Sequence, residues 1–124
     1  MSWPLLHAFM LAALPLAAGA QALIEWKGEA RYEKMHTIAP GKFAEVCTRL
    51  GAGSEVQWAF TADAAVDFNI HYHVGDRVEY AAKTEGSRRA AGTTTASSPQ
   101  DYCWMWTNRG ASQATLKLDL APHR

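Results

Sequence analysis

The first twenty residues carry no Asp, Glu, Lys or Arg, and this lack of charge is the most informative absence in the chain. Residues 8–17 are almost purely apolar, and residues 18–20 read Ala-Gly-Ala, the small side chains that a signal peptidase requires. The run is interrupted by Pro15 and is shorter than the roughly 20 residues of a membrane span. We therefore predict a cleaved signal peptide over residues 1–20, with an N-terminal anchor or a buried helix as the alternative.

Charge of one sign and long apolar runs are also lacking in the rest of the chain. Lys plus Arg and Asp plus Glu cancel to a formal net charge of zero, and the only adjacent basic pair is Arg88-Arg89. This balance argues against a nucleic-acid or anionic-membrane surface. No later run is apolar enough to span a bilayer, so we expect a mature domain of residues 21–124 without a transmembrane span, exported to the periplasm.

Recognisable catalytic motifs are missing as well. The chain contains no nucleophile elbow, no Cys-x-x-Cys pair, no Gly-rich phosphate loop and no His-Glu-x-x-His. We therefore predict a binding protein that is not an enzyme.

Cysteine is scarce, with two residues, Cys47 and Cys103. An even count in an exported chain favours a disulfide. The alternative is that Cys103 is a thiolate metal ligand.

No ten-residue stretch of residues 21–124 has a helical stripe of apolar residues. The clearest pattern is instead the alternation of residues 66–74, in which apolar side chains on one face alternate with Asp67, Asn69, His71 and His73 on the other. Residues 83–100 are rich in Gly, Ser and Thr and are predicted to form a flexible surface loop, with a frayed edge strand as the alternative. Further strands are predicted at residues 42–50, 56–60, 77–80, 102–107 and 116–120. Together these features predict an all-β fold, an antiparallel β-sandwich of roughly six to eight strands.

The predicted strand of residues 102–107 has two faces, and the question is which of them points into the core. If Cys103 points into the core, Met105 does too, whereas Trp104 and Trp106 project to the outer face, beside the histidines of residues 66–74. Exposed Trp rings would form a binding surface, together with the polar side chains of Asp67 and Asn69. The alternative is that both Trp rings are buried under a loop or the N-terminal segment.

Several short motifs resemble the GOLD domain of the p24 (emp24) family. They are Cys47 on an early strand, the Val-x-Trp-x-Phe of residues 56–60, the Val-x-Phe-x-Ile of residues 66–70 and the Tyr-Cys-Trp-x-Trp-x-Asn of residues 102–108. The resemblance implies a small β-sandwich joined by a Cys47–Cys103 disulfide, and a role in binding other proteins. The coiled coil, membrane span and sorting tail of p24 proteins have no counterpart here, so a role in vesicle traffic is not implied.

The His71-Tyr72-His73 motif is the most suggestive chemically. Residues i and i+2 of a strand project from the same face, so both imidazoles could bind one metal ion. His36 and Met105 are candidate additional ligands; thioether and imidazole suit copper, whereas imidazole and carboxylate suit zinc or nickel. The alternative is a pair of solvent-facing histidines on a polar strand face.

Two functions of different classes follow. The first is an exported protein that binds a transition metal, copper before zinc, through His71 and His73. The second is a GOLD-like interaction module without a metal, whose partner is another periplasmic protein.

Overall fold

The computed structural model describes residues 19–23 and 31–123 of the chain. Residues 1–18 of the predicted signal peptide lie outside the described residues, and the cleavage site and domain boundary stay predictions. The described residues form seven strands and no helix. The strands are β1 (Gly19–Leu23), β2 (Tyr32–Ile38), β3 (Phe43–Leu50), β4 (Glu55–Val74), β5 (Arg77–Thr95), β6 (Gln100–Thr107) and β7 (Ala114–His123). The described part of the chain thus holds no helix that could cross a membrane.

One strand, β4, joins the two layers of the fold. The strand order is β1-β3-β6-β4-β7-β2, and β5 pairs with the other side of β4. Residues 55–62 of β4 lie beside β7, whereas residues 67–71 lie beside β6. The register along β5 shifts between Thr61 and Val66, and such irregularities bend strands. The sheet therefore curls over itself into a β-sandwich, antiparallel except for β1 beside β3, which confirms the predicted fold class.

The core lies between the layers and is filled by alternate residues of the strands. Trp104 and Trp106 are 0% and 1% exposed. The ring of Phe60, in the part of β4 beside β7, lies 5.8 Å from that of Trp106 in β6. Aromatic contacts of this kind hold the two layers together.

The predicted surface loop at residues 83–100 is wrong over most of its length. β5 continues to Thr95, and only residues 96–99 connect it to β6. Pairing with the 20-residue strand β4 outweighs the weak strand propensity of Gly and Ser. At the irregular point Gly86 takes φ 60°, and its N–H donates to Asp67 Oδ1 at 2.9 Å.

Candidate metal site on the outer face

The outer face of strands β3, β6 and β4 carries two neighbouring rows of side chains. Because side chains alternate along a strand, this face is opposite to the one that carries Trp104 and Trp106. Strand pairing places Glu45, Met105 and Asn69 in one row and Cys47, Cys103 and His71 in the next. We call these six residues the outer cluster.

The disulfide belongs to this outer cluster. Cys47 and Cys103 are directly opposed on adjacent strands, with 4.1 Å between their Cα atoms, and they are bonded to each other. This confirms the predicted disulfide but corrects the predicted faces of β6. The bond links neighbours within one layer instead of crossing the core, so Cys103 and Met105 point outward and share a face with the histidines of β4.

Trp104 and Trp106 consequently do not form a binding surface, which corrects a prediction from the sequence. Both rings point inward, opposite Val46 and Ala44 of β3. Asp67 lies on the outer face as predicted, but its carboxylate binds Arg109 Nε at 2.5 Å and the N–H of Gly86. Those contacts give Asp67 a structural role at the bend of β4.

His71 is the centre of the outer cluster. It is only 5% exposed, although it lies on the polar face of the predicted strand. Its Nδ1 donates a hydrogen bond to Asn69 Oδ1 at 2.6 Å, and its Nε2 lies 3.4 Å from Glu45 Oε2. The hydrogen bond to Asn69 selects the tautomer in which Nε2 carries the lone pair.

The lone pair on His71 Nε2 faces the carboxylate of Glu45. These two atoms are suitable ligands for a shared cation. Burial, and then the charge of His73, hold the pKa of His71 below its ordinary value. At neutral pH the ring is therefore uncharged, and two acceptor atoms, Nε2 and the Glu45 oxygen, point at each other. A metal ion bound to both atoms would have one imidazole nitrogen and one carboxylate oxygen as ligands.

The distance between those two acceptors matches a shared metal ion. Zinc lies about 2.0–2.1 Å from His nitrogen and a similar distance from carboxylate oxygen. Two such donors on a tetrahedral ion stand about 3.3 Å apart, close to the observed 3.4 Å. A ligating His ordinarily donates its other ring N–H to a supporting acceptor, which is the role Asn69 already has.

His73 lies two residues further along β4 and is exposed. Its ring centroid is 5.4 Å from that of His71, at 84° between the ring planes. Among the described residues, the donor atoms within 4.8 Å of one another belong to Glu45, His71 and Cys103, so a nitrogen of His73 can join them only after a change of its rotamer. Tyr80 of β5 flanks His71, with 6.3 Å between the ring centroids.

Met105 and His36, the two other candidate ligands, have different positions. Met105 pairs with both Glu45 and Asn69 and is therefore a member of the outer cluster. His36 is opposite Leu116 in the β2–β7 pair and thus points to the inner face. It cannot join His71, which corrects the prediction that grouped them.

Glu45 is a candidate metal ligand that the sequence analysis did not include. It stands two positions before Cys47 on β3, so the alternation of the strand puts the two on one face. This alternation identifies Glu45 as a neighbour of the histidines only when two further facts are known: Cys47 points outward, and β3 lies next to β6. The carboxylate oxygen of Glu45, a ring nitrogen of His71 and Cys103 Sγ all lie within 4.8 Å of one another.

Comparison with known proteins finds similarity of fold alone. No protein-family model matches the chain, and no curated protein matches it in sequence. Among solved structures, PliG of Aeromonas hydrophila, a periplasmic inhibitor of g-type lysozyme, has a TM-score of 0.68 at 10% identity, over 85% of this chain and 97% of that one. CorA, a surface-associated copper-binding protein important in copper acquisition by Methylomicrobium album BG8, has a TM-score of 0.59 at 8% identity, over 83% and 98%. The pre-peptidase C-terminal domain of a Bacillus anthracis collagenase has a TM-score of 0.57 at 10% identity, over 82% and 93%. At these identities the similarity shows the fold alone.

Proposed function

We propose that this chain is an exported, non-enzymatic protein that binds a transition-metal ion on its outer face, copper before zinc. The ligands are Glu45 Oε2 and His71 Nε2, joined by a ring nitrogen of His73 after its exposed side chain rotates toward them. The observation that carries the proposal is the 3.4 Å separation of His71 Nε2 from Glu45 Oε2, combined with the hydrogen bond that fixes the His71 tautomer.

The donor set supports copper as the first choice. Imidazole nitrogen and carboxylate oxygen bind Cu(II) more strongly than Zn(II) and the other divalent first-row ions, although the 3.4 Å separation matches the tetrahedral geometry of zinc better than the tetragonal geometry of Cu(II). Met105 adds a polarisable thioether at the border of the site, a donor that favours copper. The copper-binding function of CorA, which shares the fold, is consistent with this choice.

Export to the periplasm is part of the same proposal. The predicted signal peptide and the disulfide fit an oxidising compartment, and the fold neighbours include periplasmic PliG proteins. A GOLD-like role in binding a periplasmic protein remains a second proposal. It is favoured by the exposed Val78 and Tyr80, 41% and 52% exposed, on β5, which pairs only with β4 among the described strands.

Calorimetric titration with Cu(II) and Zn(II) tests the metal proposal. Glu45→Gln and His71→Ala each remove one donor and should weaken binding at least about 100-fold, because even supporting residues of metal sites are worth 10–100-fold. His36→Asn is the matched control, since it removes an imidazole from the other face and should leave the affinity unchanged.

The proposal fails if wild type and His71→Ala, both shown to be folded by circular dichroism, bind the ions with the same weak affinity. That outcome would favour the protein-interaction proposal. Equal losses in His71→Ala and His36→Asn would also contradict it, since the affinity would then not depend on the outer face.

A further inference from the structure

The disulfide and the proposed metal ligands Glu45 and His71 belong to the same outer cluster. Cys103 Sγ lies within 4.8 Å of the donor atoms of Glu45 and His71, and Cys103 is the direct cross-strand neighbour of His71. Cys47 Sγ is 3.6 Å from Glu45 Oε1. This sulfur has no proton while it is in the disulfide, so the contact is a close approach and not a hydrogen bond.

We propose that Cys103 is a latent thiolate ligand of this site, which becomes available when the disulfide is reduced. This inference rests on the proposed function and concerns its regulation. In the oxidised protein the site offers oxygen and nitrogen donors from Glu45, His71 and His73. In the reduced protein Cys103 adds a thiolate, so the site gains a soft donor.

The reduction is a thiol–disulfide exchange with an external dithiol. A thiolate of the dithiol attacks one sulfur of the Cys47–Cys103 bond and forms a mixed disulfide, and its second thiol then displaces the protein thiol. The dithiol is thereby oxidised to a disulfide, and Cys47 and Cys103 each end as a thiol. When a metal ion binds, the Cys103 thiol loses its proton to solvent and its sulfur bonds to the metal.

A change of donor changes the metal preference. Thiolate is a soft ligand that selects Cu(I) and Zn(II), whereas carboxylate and imidazole suit Cu(II). Reduction should therefore shift the site from Cu(II) toward Cu(I) and Zn(II). An exported copper-binding protein with such a site would hold copper in either oxidation state according to its thiol state.

The surroundings of the disulfide make its reduction slow, which influences the design of the test. Cys47 and Cys103 are 3% and 7% exposed, and exchange requires access to the sulfur. Cys47→Ser bypasses this step because it leaves Cys103 as a free thiol beside His71. Cys103→Ser is the matched control, since it also lacks the disulfide and keeps one thiol, but at Cys47.

The experiment titrates Co(II) and Zn(II) into full-length wild type and both serine variants under anaerobic conditions. Co(II) reports thiolate ligation through a sulfur-to-metal charge-transfer band. We expect this band in Cys47→Ser, with Zn(II) affinity at least about tenfold above that of oxidised wild type, and neither in Cys103→Ser. Wild type reduced with a dithiol, freed of it by gel filtration and shown to be folded, should behave like Cys47→Ser.

Two outcomes overturn the inference. One is a Cys47→Ser protein without the band; the other is equal Zn(II) affinity in the two serine variants. If the serine variants do not fold, the absence of the band in folded, reduced wild type overturns it. The proposed function has a separate readout, since Cu(II) binding by the oxidised protein and its loss in Glu45→Gln do not involve a thiol.

Discussion

At the scale of single residues, His71 shows how position changes the chemistry of a histidine. On the polar face of an exposed strand it would titrate as an ordinary imidazole. Here Asn69 binds Nδ1 at 2.6 Å, Glu45 stands at Nε2, and burial together with the charge of His73 lowers its pKa. A neutral ring whose lone pair is fixed in direction is prepared to bind a metal ion and needs little reorganisation to do so.

Substitutions at Asn69 test whether its hydrogen bond to His71 orients the ring for metal binding. Replacing it by Leu removes the acceptor of the Nδ1–H, so the ring can rotate or change tautomer, and Cu(II) affinity should fall about 10–100-fold. Asn69→Asp keeps an acceptor at the same place and should retain at least the wild-type affinity. Calorimetric titration of the two variants checks this; a loss of equal size in both would contradict the positioning role.

His36 on the inner face gives a prediction about stability and pH. Burial, and then the charge of Lys34, lower its pKa in the folded protein. The unfolded chain therefore takes up the proton at a higher pH, and acidification below about 6.5 favours the unfolded state. Urea unfolding of metal-free protein should show a smaller stability loss between about pH 7.5 and pH 5 in His36→Leu than in wild type.

The matched comparison for that prediction is His71→Leu. His71 also has a lowered pKa, so each single variant should keep the part of the acid response that the other histidine contributes. An acid response in His36→Leu as steep as in wild type would contradict the prediction.

At the scale of elements, the long β4–β5 hairpin shows what the sequence could predict and what it could not. The strands predicted at residues 66–74 and 77–80 follow from local pattern, and both are confirmed. The extension of β5 to Thr95 was given only as the alternative of an edge strand, because the Gly and Ser residues of this segment have weak strand propensity. What keeps them extended is pairing with β4, a contact between distant parts of the chain.

Gly92 in this hairpin is required by a neighbour across the ladder. A Cβ at this position would lie 2.8 Å from Cζ2 of Trp58, and the indole is held by its hydrogen bond to Thr94 Oγ1 at 3.0 Å. Gly92→Ala should therefore lower the free energy of unfolding by about 1–3 kcal/mol, the usual cost of overpacking. Urea denaturation measures this.

The control for Gly92 is Gly51→Ala, where the nearest atom, Ser54 Oγ, would be 3.8 Å away. That substitution should have little effect on stability. A further check is Trp58→Leu in the Gly92→Ala background, which removes the ring and should make the alanine nearly neutral. A Gly92→Ala protein as stable as wild type would show that the indole shifts at no cost.

At the scale of the whole molecule, one wrong assumption accounts for the errors about the faces of β6. The cysteine pair was correctly predicted, but a disulfide was taken to cross the core, which reversed the faces of β6. Assigning Cys103 to the inner face placed Trp104 and Trp106 on the outer face and Met105 on the inner face. Which strands are neighbours depends on long-range pairing, and no local pattern in residues 102–107 reports it.

The correct faces also separate the aromatic core from the proposed metal site. The aromatic core holds the layers together on one side of β6, and the donors and the disulfide occupy the other. Substitutions at Glu45 or His71 can therefore change metal binding while leaving the packing of Trp104 and Trp106 intact. This separation makes the proposed variants informative.

The disulfide provides the last prediction, at the scale of the whole chain. It joins residues 56 positions apart, and the chain-entropy model gives up to about 4 kcal/mol for closing a loop of this size. Cys47→Ala/Cys103→Ala should lose up to that amount in urea unfolding, yet keep the far-UV spectrum of a β protein, because the core lies on the other face. Loss of the strand spectrum in native buffer would contradict this, since it would mean that the packed core alone cannot hold the two layers together.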